Sequence, residues 1–501
     1  FYNMKFLGLR LDAHDSNISY SNNDIVKYFK PERLYQKKHF GYNNLIDWTC
    51  SSYFLDFNLK DLDAICIVAD AFSWPFLKEN EKLYETLDIP VGPLKDIKCP
   101  IFRIDHHYAH ALSSWMLTDT TNHMVLDGFG DAEKSISVFS NNKNIKSFKC
   151  NTIKSFGTFL EKMGGLFNLK GHSEDLAGKI MALQSFGIED DKWWRIIKDK
   201  SYEKNSFVFN IENYAKMHGS DTIAKLNLLN YLKTTHKYAE EKIPQFFINY
   251  FNQEDTITYS GGVAHNICVN TNLKKFYKNL IIPPHCADEG LSLGCVEFLR
   301  QYYEQPKFKT EGFPFWQSDI APEDKPLDKT IKQTAEDLAK GKIIGWYQGH
   351  GEIGPRALGN RSILMSPEVK NGKSILNKKV KHREDFRPFA ASIKEDKTTD
   401  YFNWNGKSEF MKFSVSFVDK VFEPISHVDN TSRIQTVNEH NNLFYKLLDE
   451  FEKITGIPML LNTSLNDNGK PIAGQPGDAL SLMENSELDK LIIGNTIVKY
   501  E

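Results

Sequence analysis

Met4-Lys5-Phe6-Leu7-Gly8-Leu9-Arg10-Leu11 reads as a β-strand, and the polar turn Asp12-Ala13-His14-Asp15-Ser16 leads into a second strand from Asn17 to Tyr20. Working outward, Asp63-Ala64-Ile65-Cys66-Ile67-Val68-Ala69 is a near-continuous apolar run, the pattern of a strand covered on both faces. Ile101 to Ile104 and His123 to Leu126 look alike, with a helical stretch from about His106 to Leu117 between them. Strands alternating with helices at this spacing predict an α/β fold. The pattern restarts near Thr256. Ile257 to Ser260 is a short strand running into Gly261-Gly262, a helix follows from about Val263, Leu280 to Ile282 is another strand, and the next helix starts near Asp288. Residues 5 to 300 thus read as two α/β halves around a cleft. Between Glu304 and Thr330, Pro306, Pro314, Pro322 and Pro326 stand among charges with weak periodicity, which predicts a linker. A further α/β unit opens at Lys342-Ile343-Ile344-Gly345-Trp346-Tyr347. The expected division is residues 4–303, a linker over 304–330, and a second domain over 331–501.

Bulk properties agree with a multidomain globular chain. At 501 residues one compact core is too small, so two or three domains are expected. A net charge of -3 provides no global attraction to nucleic acid or an anionic membrane, although a local basic patch stays open. No apolar run approaches the roughly 20 residues of a membrane span. The start, Phe1 to Lys5, has no signal-peptide h-region, and the seven cysteines form no CxxC pair, so the expected setting is a reducing cytoplasm.

Three constellations carry chemistry. On a helix, His106 and His110 are i and i+4, so both imidazoles project from one face. Such pairs also occur on solvated faces, but Asp127 ends one strand and Asp288 another. Two imidazoles with one or two carboxylates suit Fe(II), Mn(II) or Zn(II). The second is Ser260-Gly261-Gly262-Val263-Ala264-His265-Asn266. Paired glycines between strand and helix let the backbone approach a phosphate or nucleotide, or make a tight turn. His14 lies in an inter-strand turn where a phosphate hairpin is possible. Lys179, in Gly178-Lys179-Ile180, is a phosphate ligand or a solvated helix charge. The third is Gly351-Glu352-Ile353-Gly354-Pro355-Arg356-Ala357-Leu358-Gly359-Asn360-Arg361-Ser362. It is followed by Lys381, Arg383, Arg387 and Arg433, and by Leu461-Asn462-Thr463-Ser464. Planar guanidinium forks and a lysine point charge predict an anionic pocket. Arg383 is expected to pair with surface acids instead.

With these residues in view, the chain resembles the NodU/CmcH family, the O-carbamoyltransferases of nodulation-factor and antibiotic biosynthesis. The resemblance covers nearly the whole chain. It rests on Glu352-x-Gly354-Pro355-Arg356-Ala357-Leu358-Gly359-Asn360-Arg361-Ser362, on Phe386-Arg387-Pro388-Phe389-Ala390 and on Leu461 to Ser464, with support from His106-x-x-x-His110 and Gly261 to Ala264. It implies a duplicated actin-like ATPase (ASKHA) fold followed by a YrdC-like α/β domain. It also implies two chemical steps. Carbamate released from carbamoyl phosphate attacks ATP to give carbamoyl-adenylate and pyrophosphate, and a hydroxyl of a small-molecule acceptor then takes the carbamoyl group.

By the same resemblance, Arg356, Lys381, Arg387, Arg433 and Ser464, with Asn360 and Arg361, hold carbamoyl phosphate and ATP. Arg356 and Lys381 stabilise charge as the anhydrides break. Gly261, Gly262, Asn266 and Lys179 contact nucleotide. His106, His110, Asp127 and Asp288 hold Fe(II) or a substitute, Mg(II) accompanies ATP, and His14 is the candidate base at the acceptor hydroxyl. A monomer or homodimer is expected, without nucleic acid or membrane.

Three departures stand out. His265 replaces the aliphatic residue that relatives usually carry. Leu176-Ala177 stand where many relatives place a Glu next to Gly178-Lys179. The chain is also shorter than many relatives. Two rivals share the pattern. A threonylcarbamoyl-adenylate enzyme acting on tRNA would need a polyanion surface that the charge does not suggest, and an inactive nucleotide-binding scaffold would be expected to have lost charged site residues.

Overall fold

The computed structural model describes residues 4–42, 47–69, 82–89, 92–149, 155–200, 202–203, 206–207 and 222–499. The chain forms two compact units, one of residues 1–31 and 39–311 and the other of residues 32–38 and 312–501.

Two sheets of unit 1 repeat one strand order. The first runs β3 (Ile25–Phe29), β2 (Asn17–Asn22), β1 (Lys5–Arg10), β4 (Ala64–Val68), β6 (Ile101–Ile104), with β5 (Tyr84–Thr86) on the far edge. Its first three strands form an antiparallel meander, while β4 and β6 run parallel to β1. In the second sheet β7 (His123–Leu126), β8 (Lys134–Ser140) and β9 (Lys143–Lys149) make the meander. After a small hairpin of β10 (Tyr202–Glu203) and β11 (Ser206–Phe207), β12 (Ile257–Ser260) and β13 (Leu280–Ile281) add in parallel, giving the order β9-β8-β7-β12-β13. Numbered within each sheet, both core orders are 3-2-1-4-5. A local meander followed by strands that return in parallel after long excursions is the duplicated pattern expected of the actin-like ATPase fold.

The sequence reading passed over β8 and β9, because Lys-Asn-Ile-Lys-Ser-Phe-Lys in β9 is too polar to register as an apolar run. The helix expected to reach Leu117 ends at Leu112, and a 3-10 turn over Gly262–His265 precedes the helix Ile267–Phe276.

Two glycines draw the site together. The helix Leu291–Tyr302 packs over β1, β2 and β4 and against the helix His106–Leu112. A Cβ on Gly8 would stand 2.3 Å from the Ser292 carbonyl oxygen, and one on Gly294 would stand 2.1 Å from that of Ala109. Only residues without a side chain permit backbone approaches this close. The start of this helix, with Asp288 just before it, is thereby held beside His106 and His110.

Unit 2 is built on one eight-stranded sheet. Its strands are β14 (Ile344–Tyr347), β15 (Arg361–Met365), β16 (Ala390–Lys394), β17 (Phe413–Ser416), β18 (Thr431–Val437), β19 (Met459–Ser464), β20 (Lys490–Ile493) and β21 (Thr496–Val498). They lie in the order β17-β18-β16-β19-β15-β14-β20-β21. The helix Asn442–Thr455 buries Phe444, Leu447, Leu448 and Phe451, an i, i+3, i+4, i+7 stripe, and packs against the helix Asp328–Ala339. No described helix is long and apolar enough to cross a membrane.

Candidate functional site

In unit 1 the helix His106–Leu112 is capped by Asp105, whose carboxylate accepts the Tyr108 N–H at 3.0 Å. The cap fixes the helix start and so the direction of both imidazoles. His106 Nε2 lies 3.2 Å from Asp127 Oδ2 and 3.3 Å from Asp288 Oδ1, and His110 Nε2 lies 3.1 and 3.4 Å from the same two atoms. Ligands bound at about 2.1 Å around a tetrahedral ion stand about 3.4 Å apart, so these separations match the edges of a metal polyhedron.

The carboxylates are themselves oriented from behind. Asp127 Oδ1 accepts the N–H groups of Gly128 at 2.7 Å and Gly262 at 3.0 Å, and Arg10 donates to Asp288 Oδ2 at 3.0 Å. These are the outer partners that a metal site needs to hold its inner ligands. Burial opposes charge on His106, but the Asp288 and Asp127 carboxylates outweigh it and push the imidazole up to about 10. Both carboxyls, despite burial, are held well below the usual carboxylate range by those imidazoles, with Arg10 assisting at Asp288. The adjacent His107 lies outside this set: burial holds it down to about 3, and its Nδ1 is 2.8 Å from Ser137 Oγ.

Gly261 has φ +94°, and a Cβ there would stand 2.3 Å from the Leu126 carbonyl oxygen, so the glycine turn is required. It carries the Gly262 N–H to Asp127, which joins the candidate nucleotide loop to the metal cluster. Asn266 caps the following helix by accepting the Val269 N–H at 3.2 Å, and its amide nitrogen is 2.8 Å from His236 Nε2. Lys179 Nζ donates to the Lys170 carbonyl at 2.6 Å. His14 Nδ1 lies 2.9 Å from Glu174 Oε1.

In unit 2 the buried Glu352 organises the glycine-rich loop. Its Oε1 accepts the N–H groups of Leu358 at 2.6 Å, Asn360 at 2.9 Å and Arg361 at 3.2 Å. Arg361 is fully buried. It donates to Asp319 Oδ2 and to the Gly349 carbonyl, both at 2.9 Å, and its guanidinium lies 3.7 Å from the Tyr347 ring centre. Asn360 donates to the His350 carbonyl at 2.8 Å. These two side chains brace the loop from which Arg356 projects.

Lys381, also buried, donates to the Ser464 carbonyl at 2.9 Å and to Asn466 Oδ1 at 2.6 Å. Burial, then Arg383 and Arg387, push its ammonium well below the ordinary lysine range. Burial together with Arg387 and Arg356 does the same to Arg383, against the opposing charge of Glu384. Arg433 sits on β18 in register with Ala390 of β16, and it assists burial in holding His427 down to about 4. Lys381 and Arg383, depressed by neighbouring guanidiniums, make this basic stretch a candidate anion site.

The comparisons with known proteins reach into both units. The family described as Carbamoyltransferase N-terminus matches residues 70–296, and Carbamoyltransferase C-terminus matches residues 335–500. The chain belongs to the carbamoyltransferase family. The nodulation protein NolNO of Sinorhizobium fredii is 26% identical, with 95% of this chain and 77% of that protein covered. The 3'-hydroxymethylcephem-O-carbamoyltransferase of Streptomyces clavuligerus is 28% identical, with 64% of each covered. Among solved structures, HypF of T. kodakarensis has a TM-score of 0.38 and 12% identity, with 60% of this chain and 48% of that chain covered.

Within this carbamoyltransferase the structure gathers His106, His110, Asp127 and Asp288 into one group able to hold a metal ion. It commits Arg361, Asn360, Asn266 and Lys179 to partners within the protein. Two features went unread in the sequence. Arg383, expected to pair at the surface, lies among Arg356, Arg387 and Lys381, with its Nε donating to Asn377 at 2.7 Å and its guanidinium 4.6 Å from the Phe389 ring centre. Its place between Lys381 and Phe386-Arg387 in a basic stretch was the available signal. The acids and imidazoles around His14 carried no such signal.

Proposed function

We propose that the protein is an ATP-dependent O-carbamoyltransferase that forms carbamoyl-adenylate in unit 2 and transfers the carbamoyl group in unit 1 to a hydroxyl of a small-molecule acceptor. The observation that carries this reading is the gathering of basic side chains around Lys381: Arg383 and Arg387 bear on it, Arg387 and Arg356 bear on Arg383, and Glu384, 3.7 Å from Arg387, offsets part of that charge. An anhydride phosphate relieves the repulsion among them, and it also draws stabilisation from them as negative charge builds on the departing oxygens. In this reading Arg356 and Lys381 meet the reacting phosphates, and Arg387, Arg433 and Ser464 contribute to binding them. Arg361 and Glu352 keep the loop in shape.

In unit 1 the two imidazoles and two carboxylates suit a divalent ion, Fe(II) first and Mn(II) or Zn(II) as substitutes, with Mg(II) accompanying ATP. When bound there, the ion supplies charge neutralisation at phosphate and polarises the carbamoyl carbonyl. Asp127 keeps the Gly262 backbone in place beside it, and burial of both imidazoles limits water at the cluster. The acceptor oxygen bonds to the carbamoyl carbon and its proton passes to solvent, while AMP leaves with the electron pair of the broken bond.

The test is pyrophosphate and AMP release from ATP and carbamoyl phosphate by wild type and Arg356→Ala. Release that requires carbamoyl phosphate and falls about 10²- to 10³-fold in the variant supports the reading. No carbamoyl-phosphate-dependent release, with Fe(II), Mg(II), Mn(II) and pooled sugar nucleotides supplied, overturns it.

A further inference from the structure

His14 belongs to a closed cycle of side chains that shares no residue with the four metal-binding candidates, although one of them, Asp288, also favours charge on His14. Glu174, in the first turn of the helix Ser173–Leu183, faces two imidazoles at once: Oε1 is 2.9 Å from His14 Nδ1 and Oε2 is 2.7 Å from His39 Nδ1. Asp15 closes the cycle, with Oδ2 3.4 Å from His14 Nδ1 and 2.8 Å from His39 Nδ1. Lys30 donates to Asp15 Oδ1 at 2.9 Å, Asp175 stands 3.4 Å from His39 Nε2, and the His172 ring stacks on that of His39 at 4.6 Å.

Two groups of these residues could hold a metal by composition, namely His39, His172 and Glu174, and His14, Asp15 and Glu174. Their spacing argues otherwise. The four-ligand cluster keeps its atoms 3.1 to 3.4 Å apart, whereas Glu174 meets both imidazoles at 2.7 to 2.9 Å. The shorter range is that of charge-assisted N–H···O bonds, in which a proton lies between the atoms. Charge balance points the same way. Asp15, Glu174 and Asp175 against Lys30 leave two negative charges, and two imidazoliums cancel them. His14 and His39 are pushed up to about 11 and about 12, the acids outweighing burial in each case. Glu161, with Glu174 and Asp127 near it, is raised to about 7, chiefly by burial, so it gains its charge between pH 6 and 9 and then adds to the negative field that favours the His14 imidazolium.

We propose that Glu174 is a positioning residue, braced by His39 and Asp15, that keeps His14 an imidazolium, so that its Nε2–H meets the adenylate as a hydrogen-bond donor to phosphate oxygen instead of a base to the acceptor hydroxyl. Nδ1 of His14 is turned into the cycle, which leaves Nε2 as the ring nitrogen for a ligand, and the His14 side chain is 36% exposed. His39 has a carboxylate at each nitrogen and acts only through Glu174 and Asp15. The ligand half of this proposal rests on the reading of unit 1 as the carbamoyl-transfer site; the charge state of His14 does not.

The test uses full-length protein with histidine labelled at Cε1, the His14 signal being assigned by its loss in His14→Gln. In wild type that signal stays flat from pH 6 to 9, apart from a small shift as Glu161 ionises. In Glu174→Gln it gains an inflection of full amplitude in this range, and Glu174→Asp restores the flat line. AMP binding, measured by calorimetry, weakens about tenfold in Glu174→Gln as a charge-assisted bond is lost. An inflection of the wild-type signal between pH 6 and 8 with the full amplitude of imidazole deprotonation overturns the proposal, whereas the smaller shift that Glu161 ionisation imposes on a charged ring does not. So does a second equivalent of Zn(II) bound by wild type and lost in His39→Ala, because the cycle would then be a metal site. Wild type that binds no AMP, with a flat His14 signal, removes the adenylate reading and the ligand half together and leaves the network standing.

Discussion

The candidate metal cluster of unit 1 and the cationic cluster of unit 2 are built by opposite means. In unit 1, two imidazoles and two carboxylates stabilise one another, and a cation bound among them would displace the imidazole protons. In unit 2, Arg383 and Arg387 bear on Lys381, and Arg387 and Arg356 bear on Arg383, so these side chains are under electrostatic load. The first site is defined by geometry matched to an ion. The second is defined by an excess of charge that a ligand must answer. Hydrogen bonds nonetheless fix both: Gly128 and Gly262 hold Asp127, and Ser464 and Asn466 hold Lys381.

The most drastic way to break the comparison is His110→Ala. Removing one of four ligands should take metal content from about one equivalent to near none after dialysis, read by elemental analysis. Retention of a full equivalent would mean that the ion lies elsewhere.

Lys381→Met sharpens the other side, because activity and stability should move in opposite directions. Carbamoyl-phosphate-dependent pyrophosphate release should fall about 10²- to 10³-fold. Stability of the ligand-free protein should rise by about 1 kcal/mol, since a buried cation facing arginines is replaced by an apolar chain of similar length. Denaturant melts show whether the load is real; a large loss of stability would show that the bonds to Ser464 and Asn466 dominate.

Alkaline pH separates the two units more gently. His39 in unit 1 is raised to about 12, so its contribution is complete below about 6.5 and is lost as pH rises through about 12. Lys381 is depressed, so the native state releases its proton before the unfolded chain does. Stability from this group therefore rises with pH until the unfolded lysine also titrates near 10.5. Hydrogen exchange corrected for intrinsic rate should show protection around Asn466 growing from pH 7 to 9, while protection around Glu174 holds or declines. The same trend in both regions would refute the opposed charge logic.

The contrast also explains what the sequence made legible. The helical pair His106 and His110 and the basic stretch from Lys381 to Arg387 are local, and local spacing states their chemistry. The duplicated strand order was half legible: apolar β4, β6 and β7 announced themselves, but polar β9 did not. What stayed hidden depends on long-range closure. Arg10 meets Asp288 across 278 positions, and Glu174 meets His14 and His39 across a fold that no periodicity describes. Arg361 shows the converse: its motif reads as ligand-binding, yet Asp319 and Tyr347 enclose it.

The smallest effect concerns His265, whose Nε2 lies 3.2 Å from Glu289 Oε1 while Cys286 Sγ lies 3.5 Å from its Nδ1. Glu289 is buried, and His265, with Lys30 assisting, holds its carboxyl down to about 2 against burial. His265→Leu removes that partner and should cost about 1–2 kcal/mol at pH 6, the usual penalty for stranding a buried carboxylate. The sign follows from the depressed carboxyl: its stabilisation is present above about 4.5 and lost as pH falls through about 2, so the gap between wild type and variant should narrow from pH 6 to pH 3. A gap that is constant with pH would assign the loss to packing against Cys286 and remove the Glu289 pair from the account of this loop.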